Sequence, residues 1–249
     1  MQDTAFEHFF DEGLITEVIR PIKSGKEASV HLCRASPSTT GERLAALKLY
    51  HARERRNFKD TTRYTQGRVI PQSMQRGIAR KGRAGRELET GLWIEHEWAT
   101  LGWLHRHGVR VPRPIAAGGA GILMGWVGDE HDPAPQLREL RPDPADARAL
   151  FDELLRQIRL MLNANVIHAD LSAYNVLVHD GEPWIIDLPQ SIDPREHRDA
   201  RDLLARDVER ICEAFARWQV PRHPDHVARD LWNGWLFADL IPAELRDLI

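Results

Sequence analysis

The sequence is poor in cysteine, with only Cys33 and Cys212 among 249 residues. They lie far apart and outside any Cys-x-x-Cys pattern, which excludes a disulfide framework or a cysteine-based zinc site and is typical of a reducing compartment. No apolar run approaches the roughly 20 residues that a membrane-spanning helix needs. The opening "MQDTAFEHFFDEG" contains acids rather than the apolar core of a signal peptide. We therefore expect a cytoplasmic protein without a membrane segment.

The chain also has little excess charge of either sign. Its 34 Lys and Arg residues against 37 Asp and Glu residues give a net charge of −3, so the protein as a whole is not drawn to nucleic acid or anionic membrane. Residues 51–86 are the exception, because they contain eleven Lys and Arg residues against two acids. We predict a mobile basic loop here, with at most a short helix in it, which either is a solvated surface or contacts phosphate or RNA.

Apolar patterning predicts strands first and helices later. A short helix precedes the strand-turn-strand segment "ITEVIRPIKSGKEASVHLCRA", and "RLAALKLY" is a third strand. The amphipathic helix "LETGLWIEHEWATLGWLHRHG" ends at Gly108, and "VPRPIAAGGAGILMGWVG" supplies two more strands. Beyond these lie a helix, a short hairpin and further helices. The pattern predicts an α+β fold, with an antiparallel β lobe in residues 1–128 and a mostly helical lobe in residues 129–249.

Three oxygen-bearing side chains frame the predicted hairpin. Asp170 and Asn175 lie in "HADLSAYN", and Asp187 ends "VLVHDGEPWIID" twelve residues after Asn175. A strand-turn-strand hairpin of that length brings Asn175 and Asp187 close together, with Asp170 one loop away. Amide and carboxylate oxygens are ligands for Mg²⁺. A carboxylate that is not bound to the metal can accept or orient the proton of a nucleophile.

Phosphoryl transfer also needs positive charge on the phosphates. Lys48, flanked by apolar residues in the third strand, can supply it, and a buried lysine needs an acidic partner, for which Glu95 and Glu97 are both candidates. The turn "KSGKEAS" offers backbone N–H groups that can cover phosphates. The alternatives are an ordinary edge-strand lysine, two acids on the polar face of a helix, and a Gly25 that serves only the turn.

These segments together resemble the RIO atypical serine/threonine protein kinases, most closely the type-one branch in a compact prokaryotic form. "HADLSAYNVLV" and "IIDLPQSID" resemble the catalytic and metal-binding loops, and "SGKEASV" the family's replacement for the glycine-rich loop. "LKLY" resembles its lysine strand and "ILMGWVG" its hinge. The resemblance spans about Ile15 to Phe215. It implies a two-lobed protein-kinase-like fold with one regulatory helix, and ATP with Mg²⁺ or Mn²⁺ as cofactors.

The resemblance also implies residue roles. Asp170 is the catalytic base or orienting carboxylate. Lys48 contacts the α- and β-phosphates and pairs with Glu97 in preference to Glu95. Asn175 and Asp187 bind the metal, and Asp187 can itself take a phosphate. The other implied nucleotide contacts are Ser24, Gly25 and Lys26 over the triphosphate, Met124, Gly125 and Val127 at the adenine, and Ser172 near the phosphates.

The implied function is ATP-dependent phosphorylation of protein hydroxyls, including self-phosphorylation, with an ATPase-like side reaction. The protein substrate stays unspecified. One alternative is an aminoglycoside-type small-molecule phosphotransferase, although its usual loop has a histidine where this chain has Ser172. The other is a nucleotide-gated switch that binds RNA or a ribosomal particle through the basic loop.

Overall fold

The computed structural model describes residues 3–51 and 83–238, with side chains described for residues 6–51 and 90–238. The chain divides into two compact units. One, the strand unit, comprises Met1–His105, Val111–Ala134 and Asp187–Pro189. The other, the helical unit, comprises Arg106–Arg110, Pro135–Ile186 and Gln190–Ile249. None of the described helices combines the length and apolar character needed to cross a membrane.

The strand unit is built on a five-stranded sheet in the order β1-β2-β3-β5-β4, in which every neighbouring pair is antiparallel. The strand order places β3 at the centre. The elements are α1 (Asp3–Asp11), β1 (Ile15–Ser24), β2 (Ala28–Ala35), α2 (Pro37–Thr40), β3 (Leu44–Tyr50), α3 (Arg83–Arg106), β4 (Pro114–Gly118) and β5 (Gly121–Gly125).

One face of this sheet forms a buried apolar cluster with α1. Alternate residues of β3 point into it, because successive strand side chains face opposite sides of a sheet. Lys48 and its neighbours at 46 and 50 therefore point to the other face. The members of the cluster are Phe9, Ile15, Cys33, Ala35, Ala45, Leu47, Leu49 and Leu123.

Helix α3 begins earlier than the sequence suggests. The predicted basic loop extends to residue 86, but α3 already starts at Arg83, so the prediction is wrong for residues 83–86. The run "RAGREL" contains Ala, Arg, Glu and Leu, which favour a helix despite its glycine. The remainder of that loop, residues 52–82, lies outside the described residues. At its other end α3 stops before Gly108, as predicted, and Gly108 has φ +74°.

The helical unit contains α4 (Pro144–Asn163), β6 (Val176–His179), β7 (Glu182–Ile185), α5 (Ala200–Ala216) and α6 (Pro224–Leu236), with a short 3-10 helix at Leu137–Glu139. Asp143 caps α4 by accepting from the backbone N–H groups of Ala145 and Asp146. The rings of Phe151 in α4 and Phe215 in α5 meet edge to face, 5.1 Å between centroids. The α+β fold class, with an antiparallel sheet in the first unit and helices in the second, is confirmed.

The β6–β7 hairpin is fixed at both ends. Asp180 and Gly181 turn the chain with φ values of +53° and +78°, as the "DG" pair predicts. At the open end, the Ile185 N–H donates to the Arg110 carbonyl at 2.9 Å. The Arg110 guanidinium in turn pairs with Glu153 at 2.6 Å and Glu182 at 2.8 Å. The segment around Arg110 thus ties the hairpin to α4.

Both cysteines are free and buried, one in each unit. Burial raises the pKa of the Cys33 thiol to about 12. Burial also raises the pKa of Cys212. Neither thiol is therefore appreciably ionised near neutral pH.

Candidate functional site

Lys48 lies in the interior of the sheet. Its backbone is opposite Val30 of β2 on one side and Ile122 of β5 on the other, so the edge-strand explanation of this lysine is wrong. Its side chain is only 11% exposed. An ammonium at such a position needs anionic partners, because its desolvation is otherwise too costly.

Glu97 of α3 is one of those partners. The Lys48 Nζ donates to both carboxylate oxygens of Glu97, at 2.7 and 2.9 Å. The side chain of Glu97 is buried, whereas Glu95, two positions earlier, is exposed. Of the two acids that the sequence offered, Glu97 therefore pairs with the lysine.

Asp187 is the second partner of Lys48. Its Oδ1 accepts from the Nζ at 2.7 Å, and its side chain is about half exposed. The backbone of Asp187 has φ +68°, a left-handed conformation that costs a non-glycine residue about 1 kcal/mol. The next residue, Leu188, is buried and donates its backbone N–H to Glu97. These contacts hold Asp187 in a conformation that its sequence does not favour.

The cluster contains more carboxylate charge than one ammonium neutralises. Burial lowers the pKa of Lys48, but the adjacent charges of Glu97 and Asp187 outweigh it, so the net shift is upward. Burial raises the pKa of Glu97; Lys48 opposes that shift and the Asp187 charge adds to it. Further positive charge beside Asp187 would therefore be stabilised by this cluster.

The turn between β1 and β2 contains Ser24, Gly25 and Lys26, all of which are exposed. The Gly25 N–H donates to the Ala28 carbonyl at 2.9 Å and closes the turn. A Cβ at Gly25 would meet only that carbonyl oxygen, at the ordinary contact distance of 3.5 Å. Its φ is not positive, so the turn itself does not require glycine. This weakens the explanation that Gly25 serves only the turn.

The segment predicted to contact the adenine, at and beyond the end of β5, contains Met124, Gly125 and Val127. The Gly125 N–H donates to the Arg113 carbonyl at 2.7 Å, and the Val127 carbonyl accepts from the Ala134 N–H at 3.0 Å. The single hydrogen of the Gly125 amide is thus already used within the strand unit. A Cβ at Gly125 would lie in contact with Arg113, 3.4 Å from its Cβ and N.

In the helical unit, the loop from His168 to Asn175 is held by its backbone. His168 is buried, and its Nε2 lies 3.0 Å from the Ile186 carbonyl oxygen. The Asn175 N–H donates to the Ser172 carbonyl at 2.9 Å, and the Asn175 carbonyl accepts from Ile186 at 3.0 Å. The loop and the hairpin end are therefore one hydrogen-bonded structure, and Asp187 is the residue that follows it.

Side chains of helix α5 form hydrogen bonds with the backbone of this loop. The buried Asp207 carboxylate accepts from the N–H groups of Ala169 at 2.7 Å and Leu171 at 3.0 Å. Ala169 has φ +63°, and Arg206 donates to its carbonyl. Three of the backbone groups on either side of Asp170 are thus bound by a single turn of α5.

Asp170 itself points its carboxylate outward. Its Oδ1 accepts from Arg210 Nη1 at 2.8 Å, and the two side chains are 51% and 38% exposed. The Asp170 carbonyl accepts from Asn175 Nδ2 at 3.0 Å. The carboxylate is therefore both reachable by an incoming group and fixed through its own backbone.

Asp207 and Arg210 are functional candidates that sequence reasoning did not find. Asp207 lies among the buried apolar positions of α5, beside Leu204, Val208 and Ile211. An acid in an apolar helical stripe needs buried hydrogen-bond donors. The position of Asp207 in such a stripe was therefore the sequence signal that could have identified it. Arg210 carries no such signal, because an arginine on a partly exposed helix face is ordinary.

The residues proposed to hold a metal are one amide and one carboxylate. Asn175 donates through Nδ2 to the Asp170 carbonyl, so its Oδ1 is the atom that could bind a metal. In the described part of the chain, no group of three or more His, Cys, Asp and Glu side chains could hold a metal ion. Few protein oxygens, completed by phosphate and water, suit Mg²⁺ and Mn²⁺. The donor types therefore fit the predicted metal.

We expect the protonation of Asp207 to make the free energy of unfolding depend on pH. Burial raises its pKa to about 6, although His168, Arg206 and the two N–H groups oppose the shift. The pKa of Asp207 is higher in the folded protein than in the unfolded chain. As the pH falls, the folded protein therefore binds the proton first, and the contribution of Asp207 to the free energy of unfolding increases between about pH 7 and 4. Relative to Asp207→Asn, the free energy of unfolding of the wild type should rise by about 2 kcal/mol over that range. Urea denaturation at a series of pH values measures this difference, and parallel profiles would show that Asp207 titrates normally.

The two units together have features of a recognisable class. One has a five-stranded antiparallel sheet with a central lysine bound to a helix glutamate, and the other an Asp-x₄-Asn loop ahead of a hairpin. These are features of the protein-kinase-like fold. A family model described as "RIO1: RIO domain" matches residues 32–227. The chain belongs to the RIO-domain family, so the predicted resemblance is confirmed.

Similar proteins of known family support the same family membership. The chain is 31% identical over 210 residues to "Serine/threonine-protein kinase RIO1" of Caenorhabditis elegans, covering 84% of this chain and 39% of that protein. It is 31% identical over 209 residues to its Homo sapiens namesake, covering 84% and 35%. It is 32% identical over 200 residues to "RIO-type serine/threonine-protein kinase Rio1" of Haloferax volcanii, covering 79% and 62%. The chain thus spans under half the length of the first two relatives.

Proposed function

We propose that this protein is an ATP-dependent serine/threonine protein kinase of the RIO type, which transfers the γ-phosphoryl group to a protein hydroxyl and to itself. The observation that carries the proposal is the Lys48 ammonium, held in the centre of the sheet by Glu97 and Asp187 at 2.7 Å each. A buried ion pair is by itself weak evidence for a role in stability, and a cation fixed at this depth is suited to binding a phosphate oxygen. Family membership and the relatives' names support the same reaction.

Each residue then has a task that its contacts support. Lys48 positions the α- and β-phosphates, and Glu97 fixes the lysine. Asp170 accepts or orients the proton of the attacking hydroxyl, which its half-exposed carboxylate can do. The remaining nucleotide contacts are proposed as Ser24, Gly25 and Lys26 over the triphosphate, Met124, Gly125 and Val127 around the adenine, and Ser172 near the phosphates.

We assign the metal, Mg²⁺ or Mn²⁺, to Asn175 Oδ1 and the Asp187 carboxylate. When bound, such a cation offsets the negative charge of the phosphates. The excess carboxylate charge around Lys48 supports a cation at Asp187. The strained backbone of Asp187 also presents its carboxylate in one fixed direction. Asp187 is our candidate for an acyl-phosphate in an ATPase-like side reaction.

A protein acceptor is favoured over a small-molecule one. The relatives are named as protein kinases. An RNA or ribosomal partner would depend on residues 52–82, which lie outside the described residues, so it stays an alternative. Two free thiols support a reducing, cytoplasmic location.

The test is incubation of the purified chain with γ-labelled ATP and Mg²⁺. We expect label on the protein and on an added protein acceptor, and none on a panel of aminoglycosides. Lys48→Ala should remove the signal, whereas Arg229→Ala, which removes an exposed cation from α6, should retain it. Acid-stable label indicates a phosphohydroxyl, and acid-labile label indicates an acyl phosphate. Transfer to an aminoglycoside alone, or equal signals from both variants, would refute the proposal.

A further inference from the structure

Tyr50 ends β3 two residues after Lys48 and therefore points to the same face of the sheet. It is only 8% exposed. The Lys48 Nζ lies 5.2 Å from the centroid of its ring, within the range of a cation–π contact. The ring is thus a third contact of the ammonium, in addition to the Glu97 and Asp187 carboxylates.

Tyr50 also lies beside the turn of Ser24, Gly25 and Lys26. It is directly opposite Ala28, the residue whose carbonyl closes that turn. The next residue, His51, donates its N–H to the Glu27 carbonyl at 2.9 Å. Tyr50 therefore contacts Lys48 through its ring and neighbours the turn through its backbone, and the proposed function assigns both of these elements to the triphosphate.

The hydroxyl group of Tyr50 is buried and has no hydrogen-bond partner among the described residues. Buried hydroxyl groups are nearly always hydrogen-bonded, and an unmet one destabilises the protein. An unpaired donor on a ring that contacts the Lys48 ammonium is suited to an anionic oxygen, because hydrogen bonds to charged acceptors are the stronger ones.

We propose that Tyr50 is a further nucleotide-binding residue, whose hydroxyl donates a hydrogen bond to a phosphate oxygen of bound ATP. The inference rests on the proposed function and deepens it. The ring holds Lys48 in place whether or not nucleotide is bound, and the hydroxyl finds its partner only when the phosphates arrive. Tyr50 thus contributes to binding of the phosphates and not of the adenosine.

Tyr50→Phe isolates the hydroxyl, because the ring and its contact with Lys48 stay. We expect the Kd for Mg-ATP to rise about tenfold, the loss of one hydrogen bond to a charged group. The Kd for adenosine should not change, and the Tm of the nucleotide-free protein should stay the same or rise. Calorimetric titration measures the first Kd, and competition against a fluorescent ATP analogue measures the second.

Thr40→Val is the matched control in the same unit. Thr40 is 7% exposed, but its hydroxyl is satisfied, because it donates to the Ser36 carbonyl at 2.8 Å and accepts from the Glu42 N–H at 3.1 Å. This variant should lower the Tm and leave both Kd values unchanged.

Three results would overturn the inference for Tyr50: an unchanged Kd for Mg-ATP, an equal rise in both Kd values, or a Tm lowered as in Thr40→Val. The first is expected if the hydroxyl does not reach the phosphates. A wild type that binds no ATP would instead refute the proposed function, so the two failures are distinguishable.

Discussion

Replacing Asp170 with asparagine is expected to slow phosphoryl transfer by about 10²- to 10⁴-fold, the usual contribution of a positioned general base. Asparagine keeps the shape of the side chain but cannot take a proton. The loop should stay in place, because α5 binds its backbone through Asp207 and Arg206 rather than through the Asp170 side chain. The Kd for Mg-ATP should therefore stay at its wild-type value. Single-turnover transfer from γ-labelled ATP, with a parallel binding titration, measures both quantities.

Asp180→Asn provides the matched control, since Asp180 lies at the tip of the β6–β7 hairpin with 89% of its side chain exposed. It should transfer phosphate at the wild-type rate. If Asp170→Asn also did so, Asp170 would take no part in the reaction. A loss of ATP binding in Asp170→Asn would show that the aspartate contributes to nucleotide binding instead.

Lys48→Met should affect both activity and stability. Transfer is lost with the ammonium, and the Glu97 carboxylate is left buried without its main partner, which costs about 3–5 kcal/mol in the free energy of unfolding. The double variant Lys48→Met, Glu97→Leu removes both charges and should recover most of that stability, because apolar residues of similar size often replace a buried ion pair at little cost. Its transfer activity should stay absent.

Urea denaturation of the wild type, the two single variants and the double variant gives the coupling free energy between the two residues. Additive effects would show that the pair contributes nothing as a pair. A double variant that regained transfer would show that Lys48 acts on the fold rather than on the phosphates.

The sequence predicts elements whose signals are local. The alternation in "RLAALKLY" places Lys48 on one face of β3, and "DG" places the β6–β7 turn, because each pattern depends on neighbouring residues alone. It cannot predict that β5 pairs with β3, since that contact joins residues far apart in the chain. The four-residue helix Pro37–Thr40 was also missed, because so short a segment has no period to detect.

The choice between Glu95 and Glu97 shows the same limit within a helix. Residues two apart lie on nearly opposite sides of an α-helix, and both acids fit a polar face on paper. Only the packing of α3 against the sheet decides which is buried. Arg210 was missed because it reaches Asp170 from forty residues away, and such a contact leaves no pattern in either segment.

Because both thiols are buried, the rate at which each is alkylated measures local unfolding of the protein around it. Cys33 belongs to the strand unit and Cys212 to the helical unit, so alkylation of either sulfur reports how often its surroundings open. A ligand that binds only the closed protein slows such labelling in proportion to its occupancy. Mass spectrometry after a maleimide pulse, with and without ATP, would therefore show for each unit how strongly nucleotide binding suppresses its local unfolding. No residue has to be introduced for this measurement.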